Sequence, residues 1–476
     1  MPLETCTPWI GGRGVGTRGR RVETVRAPFD GRPLARIAIA TSADLTAAIA
    51  AARAAFAELK RWPRHARRDL LDRIARAITS DRRSLAGLVS ADCGKPLTQA
   101  LGEVDRAAQT FSFAADEARR FGGELIPMDV DPRATGMAGL AQRFPVGPIS
   151  AISPFNFPLN LLAHKLAPAL AVGSAVVVKP PPQAPLAAFR LARILADCGA
   201  PAGACNVLAM DVPVAERLAT DPAFALLSFT GSAKVGWHLK SVAGKKKVVL
   251  ELGGNAAAVV HEDAPDLDHV AERLAVGAFA YAGQVCIKVQ RILVHRRIWR
   301  RFVRRFLEAS ADLKAGDPAD AKTVVGPMID TAALERVQSW VGEAEADGAR
   351  VLLRGRRRGS VLRPTVLTDV TPRMKVESEE VFGPVATLTP YRDWSAALAR
   401  VNRSTYGLQA GVFTADLGRV REAFVTLEVG GVVVNDFPTL RVDHYPYGGI
   451  KDSGFGREGV RYAMEEMSEP KMLILK

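Results

Sequence analysis

From Ile149 onward, short apolar runs alternate with longer stretches whose apolar residues recur at helical spacing. A parallel sheet with crossover helices imposes this pattern. It predicts strands at Ile149 to Ile152, Ala175 to Val178, Asn206 to Leu208, Leu226 to Phe229 and Val248 to Leu252. Helices fit between them at Pro158 to Ala171, Pro185 to Cys198 and Val212 to Ala219. After Gly253-Gly254 a second alternation begins: strand Ala256 to Val260, helix Leu267 to Ala280, strand Arg291 to Val294 and helix Ile298 to Leu313. The fold class is therefore α/β, with a domain boundary near Gly254.

The chain before Ile149 reads differently. Residues 9 to 40 carry short strands and turns, and Thr41 with Asp44 forms a capping box that opens an Ala-rich helix to Leu59. Pro63 closes it. A second amphipathic helix is expected from about Arg67 to Val89, and a third from Gln99 to Arg120. Between Gly122 and Pro148 the helical period disappears and Gly, Pro and Asp accumulate, which predicts a protruding hairpin or linker.

A chain of 476 residues exceeds one ordinary hydrophobic core, so two or three domains are expected. No apolar run reaches the ~18 residues a membrane span needs, and Met1 to Pro8 carries no export-type pattern, so the expected location is the cytoplasm. The five cysteines, Cys6, Cys93, Cys198, Cys205 and Cys286, have no metal-ligand spacing, which predicts reduced thiols and no metal site. The net charge of +14 raises the question of nucleic acid. The densest arginines, in Arg296 to Phe306, alternate with apolar residues as one solvated helix face would, so no nucleic-acid partner is expected.

Several positions carry chemistry. Cys286 ends the small-residue turn Tyr281-Ala282-Gly283-Gln284-Val285; a lone cysteine is ordinarily a core residue, but one on a polar glycine turn is a candidate nucleophile. Glu251 lies within an apolar strand run, where an unpaired carboxylate costs several kcal/mol or takes a raised pKa, as a general base near neutrality requires. Pairing with an arginine is the competing explanation. Asn156, between Pro154 and Pro158, is either a turn former or a fixed oxyanion donor. Gly231-Ser232 follows a strand and opens a helix, where N–H groups meet phosphate, and Lys179 ends a strand at the edge where α/β sheets bind ligands.

Taken together the motifs resemble the aldehyde dehydrogenase superfamily over nearly the whole chain. They occur in that family's order: Pro154-Phe155-Asn156-Phe157-Pro158, Val178-Lys179-Pro180, Phe229-Thr230-Gly231-Ser232, Glu251-Leu252-Gly253-Gly254, Gly283-Gln284-Val285-Cys286 and Glu380-Val381-Phe382-Gly383-Pro384. The resemblance implies Cys286 as nucleophile, Glu251 as the base for water and Asn156 as an oxyanion donor. It implies NAD or NADP as cofactor, held by Lys179, Gly231, Ser232 and Glu380, with Ser153, Phe155, Pro182 and Phe382 beside it. It also implies a Rossmann-like cofactor domain (1–123 and 148–254), a catalytic α/β domain (255–455) and a small β oligomerisation arm (124–147 and 456–476), assembled as a homodimer or homotetramer.

One departure from that pattern is Pro182, where many NAD-preferring relatives have a glutamate that repels a 2′-phosphate; acceptance of NADP is therefore expected. Arg106, His164 and Arg441 lie in segments similar to those of relatives acting on small hydroxylated or anionic aldehydes, and so are substrate-binding candidates. An Arg106–Glu103 pair on one helix and a merely packed His164 are the competing arrangement. Two other functions remain open: a CoA-acylating dehydrogenase, in which CoA replaces water, and a non-catalytic structural or binding protein.

Overall fold

A computed structural model describes residues 3–476. Its first sheet has eight strands in the order Gly454–Phe455, Lys247–Glu251, Leu226–Thr230, Ile149–Ile152, Val176–Lys179, Cys205–Val207, Trp9–Ile10 and Arg13–Gly14. The five inner strands run parallel, while the flanking ones pair antiparallel. Parallel strands must be covered on both faces. The helix Asn160–Val172, buried at every residue, packs within this cover.

The second sheet has seven strands, ordered Arg350–Leu353, Thr365–Thr368, Val385–Tyr391, Arg291–His295, Ala257–Val260, Gln409–Phe413 and Gly431–Val434. All its pairings are parallel except that of Arg350–Leu353. Each large sheet lies against its own principal buried apolar cluster. A third, antiparallel sheet joins Gly123–Ile126, Ala138–Pro145 and Ser468–Leu475.

Local chemistry explains where the elements differ from the periodicity. The capping box forms as expected, with Thr41 Oγ1 accepting from the Asp44 N–H and Asp44 accepting from the Thr41 N–H. The single helix expected over Arg67 to Val89 is two, Arg64–Ser80 and Arg82–Cys93, because Asp81 leaves helical geometry and binds Arg190 at 2.7 Å. The segment Val212 to Ala219 likewise divides into Val212–Ala215 and Arg217–Thr220.

Two stretches lie away from the domains to which the sequence assigned them. Gly454–Phe455 pairs with Leu250 and Glu251, so the chain returns to the first sheet within the stretch given to the second domain. The helix Val460–Glu466 buries Val460 and Met464, four residues apart on one face, in the first core; only Ser468–Leu475 enters the small sheet.

Candidate active site

The short 3-10 turn Ala280–Gly283 follows the helix Leu267–Phe279 and leads to Cys286. Tyr281 and Ala282 both have φ of 53°, a left-handed conformation that costs an L-residue about 1 kcal/mol or more. Its surroundings hold it. The Tyr281 hydroxyl donates to the Cys93 carbonyl at 3.2 Å, and its N–H donates to Val324 at 2.9 Å. Gln284 spans the turn: Nε2 donates to the carbonyls of Tyr281 (3.3 Å) and Pro327 (3.2 Å), while Oε1 accepts from the Ile329 N–H (2.8 Å). The Cys286 carbonyl rests against Gly254, where any Cβ would collide with it, so the junction between the two sheets meets the cysteine directly.

Cys286 is half-buried, with Sγ 3.5 Å from the hydroxyl of Tyr447. Burial pushes its thiol up to about 11, against the pull of the Tyr447 hydrogen bond. Asn156 is buried and Nδ2 donates to the Gln284 carbonyl at 3.0 Å, which fixes the amide two residues before the thiol. An amide nitrogen carries two hydrogens. Among the described residues only that one acceptor meets Nδ2, so its second N–H is available.

Glu251 is the last residue of its strand, and both carboxylate oxygens are buried with no hydrogen-bond partner among the described residues. No arginine pairs with it among them. Burial raises its pKa well above the ordinary value, and the neighbouring Glu458 raises it further. Glu458 behaves oppositely. It is also buried, but Lys165 at 3.2 Å and Arg441 at 3.0 Å hold it down to about 2. Of the two carboxylates, Glu251 is therefore the one held toward its protonated form. Lys165 is fixed in turn by Ser228 (3.0 Å) and Thr230 (2.7 Å).

The residues expected at a cofactor lie around the carboxyl ends of the first sheet's strands and across to the second lobe. Lys179 ends Val176–Lys179; among the described residues its Nζ meets only the Pro180 carbonyl, at 3.4 Å, and burial lowers its pKa. Ser153 Oγ is buried without a partner among the described residues. Gly231 and Ser232 join Leu226–Thr230 to the helix Ala233–Val242, and the Ser232 side chain makes no capping bond, so N–H groups of the first turn remain open to an anion. Glu380 accepts the Gly254 N–H at 2.9 Å and is pushed up to about 7 by burial. Phe382 meets Phe155 edge-on at 5.8 Å, which joins the two lobes. Pro182 is exposed in the turn beyond Lys179.

Arg106, His164 and Arg441 converge on two carboxylates. Arg106 grips Asp443 through two bonds, at 2.9 and 2.6 Å, and His164 Nε2 lies 2.8 Å from the same carboxylate. The Arg106–Glu103 pair that helical spacing allows does not form, because Lys95 takes Glu103, which also accepts the N–H groups of Leu159 and Asn160. Arg441 pairs with Glu458 and stacks over the Tyr447 ring, 3.7 Å from its centre. The sequence reading missed Lys165, Asp443, Tyr447 and Glu458 as site residues. Lys165 left a signal: it is a charge in a helix otherwise made almost wholly of apolar residues.

A thiol, an unpaired carboxylate and a fixed amide donor within one buried region are suited to covalent acyl chemistry followed by hydrolysis. Comparison with known proteins identifies the family. The aldehyde dehydrogenase family model matches residues 15–473. A 3-sulfolactaldehyde dehydrogenase of Priestia aryabhattai is 42% identical over 445 residues, 93% of each chain. Aldehyde dehydrogenase 21 of Physcomitrella patens, solved with the reaction product succinate, superposes with a TM-score of 0.97 at 41% identity, covering 100% of this chain and 99% of that one. A glyceraldehyde-3-phosphate dehydrogenase of Methanocaldococcus jannaschii complexed with NADP gives 0.92 at 37% identity, covering 96% and 99%. The chain belongs to the aldehyde dehydrogenase family and is an oxidoreductase.

Proposed function

We propose that the protein oxidises a small aldehyde bearing a hydroxylated or anionic tail to its carboxylic acid, with NADP or NAD as oxidant. The carrying observation is Glu251, buried and unpaired in the same pocket of charge as Cys286. The Cys286 thiolate attacks the carbonyl carbon; the S–C bond forms and the π electrons move to oxygen. That oxyanion accepts the free Asn156 Nδ2 hydrogen and the Cys286 N–H. A nicotinamide dinucleotide, when bound, supplies the acceptor for the hydride leaving that carbon. Glu251 then takes a proton from water as its oxygen attacks the thioester, and the C–S bond breaks to release the acid. A base for water has no use in transfer to CoA, so the unpaired Glu251 favours hydrolysis.

The chain's own residues suit a dinucleotide. Among the described residues Ser153 Oγ lacks a partner, Lys179 Nζ has only a long carbonyl contact, and the Ser232 side chain does not cap its helix. Lys179 and Glu380 would hold ribose hydroxyls, and Gly231-Ser232 the pyrophosphate. Nothing acidic stands at Pro182, so a 2′-phosphate meets no repulsion there. Arg106, with Arg441 and His164 behind it, supports an anionic substrate tail, in keeping with the sulfonated and dicarboxylate compounds named for two relatives. The small sheet exposes Leu125, Leu473, Ile474 and Leu475, an apolar surface suited to a second copy of the chain and hence to a homodimer or homotetramer. Among the described residues no helix is long and apolar enough to cross a membrane.

Two variants test the mechanism with a panel of neutral and anionic aldehydes. Cys286→Ala loses all turnover. Glu251→Gln gives one burst of reduced cofactor and then stalls as an acyl-enzyme; full steady-state activity in that variant would remove Glu251 from its role.

A further inference from the structure

Tyr447 is buried, and its hydroxyl has one hydrogen-bond partner among the described residues: Sγ of Cys286, at 3.5 Å. The ring that carries this hydroxyl cannot readily turn away. Tyr447 and Glu458 exchange backbone hydrogen bonds, N–H to carbonyl, at 2.9 and 2.7 Å. The Arg441 guanidinium lies 3.7 Å from the ring centre and is itself held by Glu458 at 3.0 Å. A phenylalanine would fill the same apolar space, so the oxygen is explained only by what it touches.

We propose that Tyr447 is a further catalytic residue whose O–H donates to Sγ and stabilises the Cys286 thiolate, with Arg441 positioning the ring. This rests on Cys286 being the nucleophile. A thiolate accepts a hydrogen bond more strongly than a thiol, so the bond favours the charged form. Burial keeps the Tyr447 proton on its oxygen, which leaves it a donor at neutral pH. The charged groups facing the sulfur divide: Arg441 favours the thiolate, while Glu380 and Glu251 oppose it when ionised. The balance is simple. The S–H bond breaks with its proton going to solvent, and Tyr447 keeps its own proton throughout. When the S–C bond later breaks during thioester hydrolysis, the departing thiolate accepts the same O–H again, so one hydroxyl assists both attack and release.

The test is the pH dependence of iodoacetamide alkylation at Cys286, followed by mass of the Cys286 peptide in the full chain, for wild type and Tyr447→Phe. Losing a hydrogen bond to a charged sulfur should slow alkylation about tenfold at neutral pH. The limiting alkaline rates should coincide, with the midpoint moved upward. Tyr447→Met, which removes the donor with different packing, should show the same displacement, and thiolate absorbance against a Cys286→Ser blank should move with it. Superimposed profiles in wild type and either folded variant would overturn the proposal. Inactive Cys286→Ala with superimposed profiles discards Tyr447 alone; active Cys286→Ala discards the nucleophile reading itself.

Discussion

A Cβ on Gly448 would stand 2.9 Å from Oε1 of Glu251. Gly448 also has φ of 153°, so it leaves room for the carboxylate in a backbone conformation that L-residues avoid. Its neighbour Tyr447 meets the Cys286 thiol, and the two adjacent residues thus border both the thiol and the carboxylate. Gly448→Ala should displace Glu251 more than Cys286. The expected outcome is an intact first burst of reduced cofactor with steady-state turnover lowered about tenfold by the misplaced base. Rapid-mixing kinetics separate the two phases, and equal loss in both would place the damage elsewhere.

Activity should rise with pH. Cys286 is pushed up to about 11 and Glu251 is raised well above the ordinary carboxylate range, both chiefly by burial. A raised pKa leaves each group protonated, and so inactive, at low pH; activity grows as the proton leaves. The Glu458 charge contributes to the rise of Glu251, so Glu458→Gln should move the acid limb of steady-state turnover toward lower pH. That variant also leaves Lys165 and Arg441 without their shared partner, and a loss of about 3 kcal/mol of stability should accompany the displacement. A pH–rate profile beside a denaturant titration measures both.

Glu251 was legible in the sequence because one carboxylate interrupts an apolar strand, and the Tyr281 to Cys286 turn was legible because small residues cluster there. Lys165 and Glu458 were not, since their meeting spans 293 positions and no local period encodes it. The Arg106–Asp443 pair spans 337. Helical spacing instead offered Glu103 to Arg106, three residues away, but it could not show that Lys95 reaches Glu103 first. The break at Asp81 is of the same kind, because it depends on Arg190 from a distant helix. Period and motif thus marked the strands, the thiol and the carboxylate, while the charge network behind them depends on the assembled fold.

Cofactor choice should respond to one residue. Pro182 is exposed and presents no charge, so wild-type catalytic efficiency with NAD should exceed that with NADP by less than about a hundredfold, or fall below it. Pro182→Glu introduces a carboxylate where a 2′-phosphate would approach. Like-charge repulsion should reduce kcat/KM with NADP by at least about tenfold while leaving NAD largely unaffected. Paired kinetics with both cofactors at one aldehyde concentration measure the ratio; an unchanged ratio would separate Pro182 from cofactor recognition.

Arg106 is the more accessible of the two arginines near Asp443, with 27% of its side chain exposed against 6% for Arg441. A ligand can therefore reach Arg106 without dismantling the buried pairs behind it. Arg106→Gln should raise KM about tenfold for an anionic aldehyde and leave KM for a neutral aldehyde of equal length unchanged, since only the former loses a charge partner. Asp443 would still have His164 at 2.8 Å and Asn160 at 3.3 Å, so it is not orphaned. The stability loss should accordingly stay near the ~1 to 2 kcal/mol of a charged hydrogen bond. If KM instead rises equally for both aldehydes, Arg106 serves to hold Asp443 and the segment around Tyr447 in place, and the anionic tail must be met by other residues.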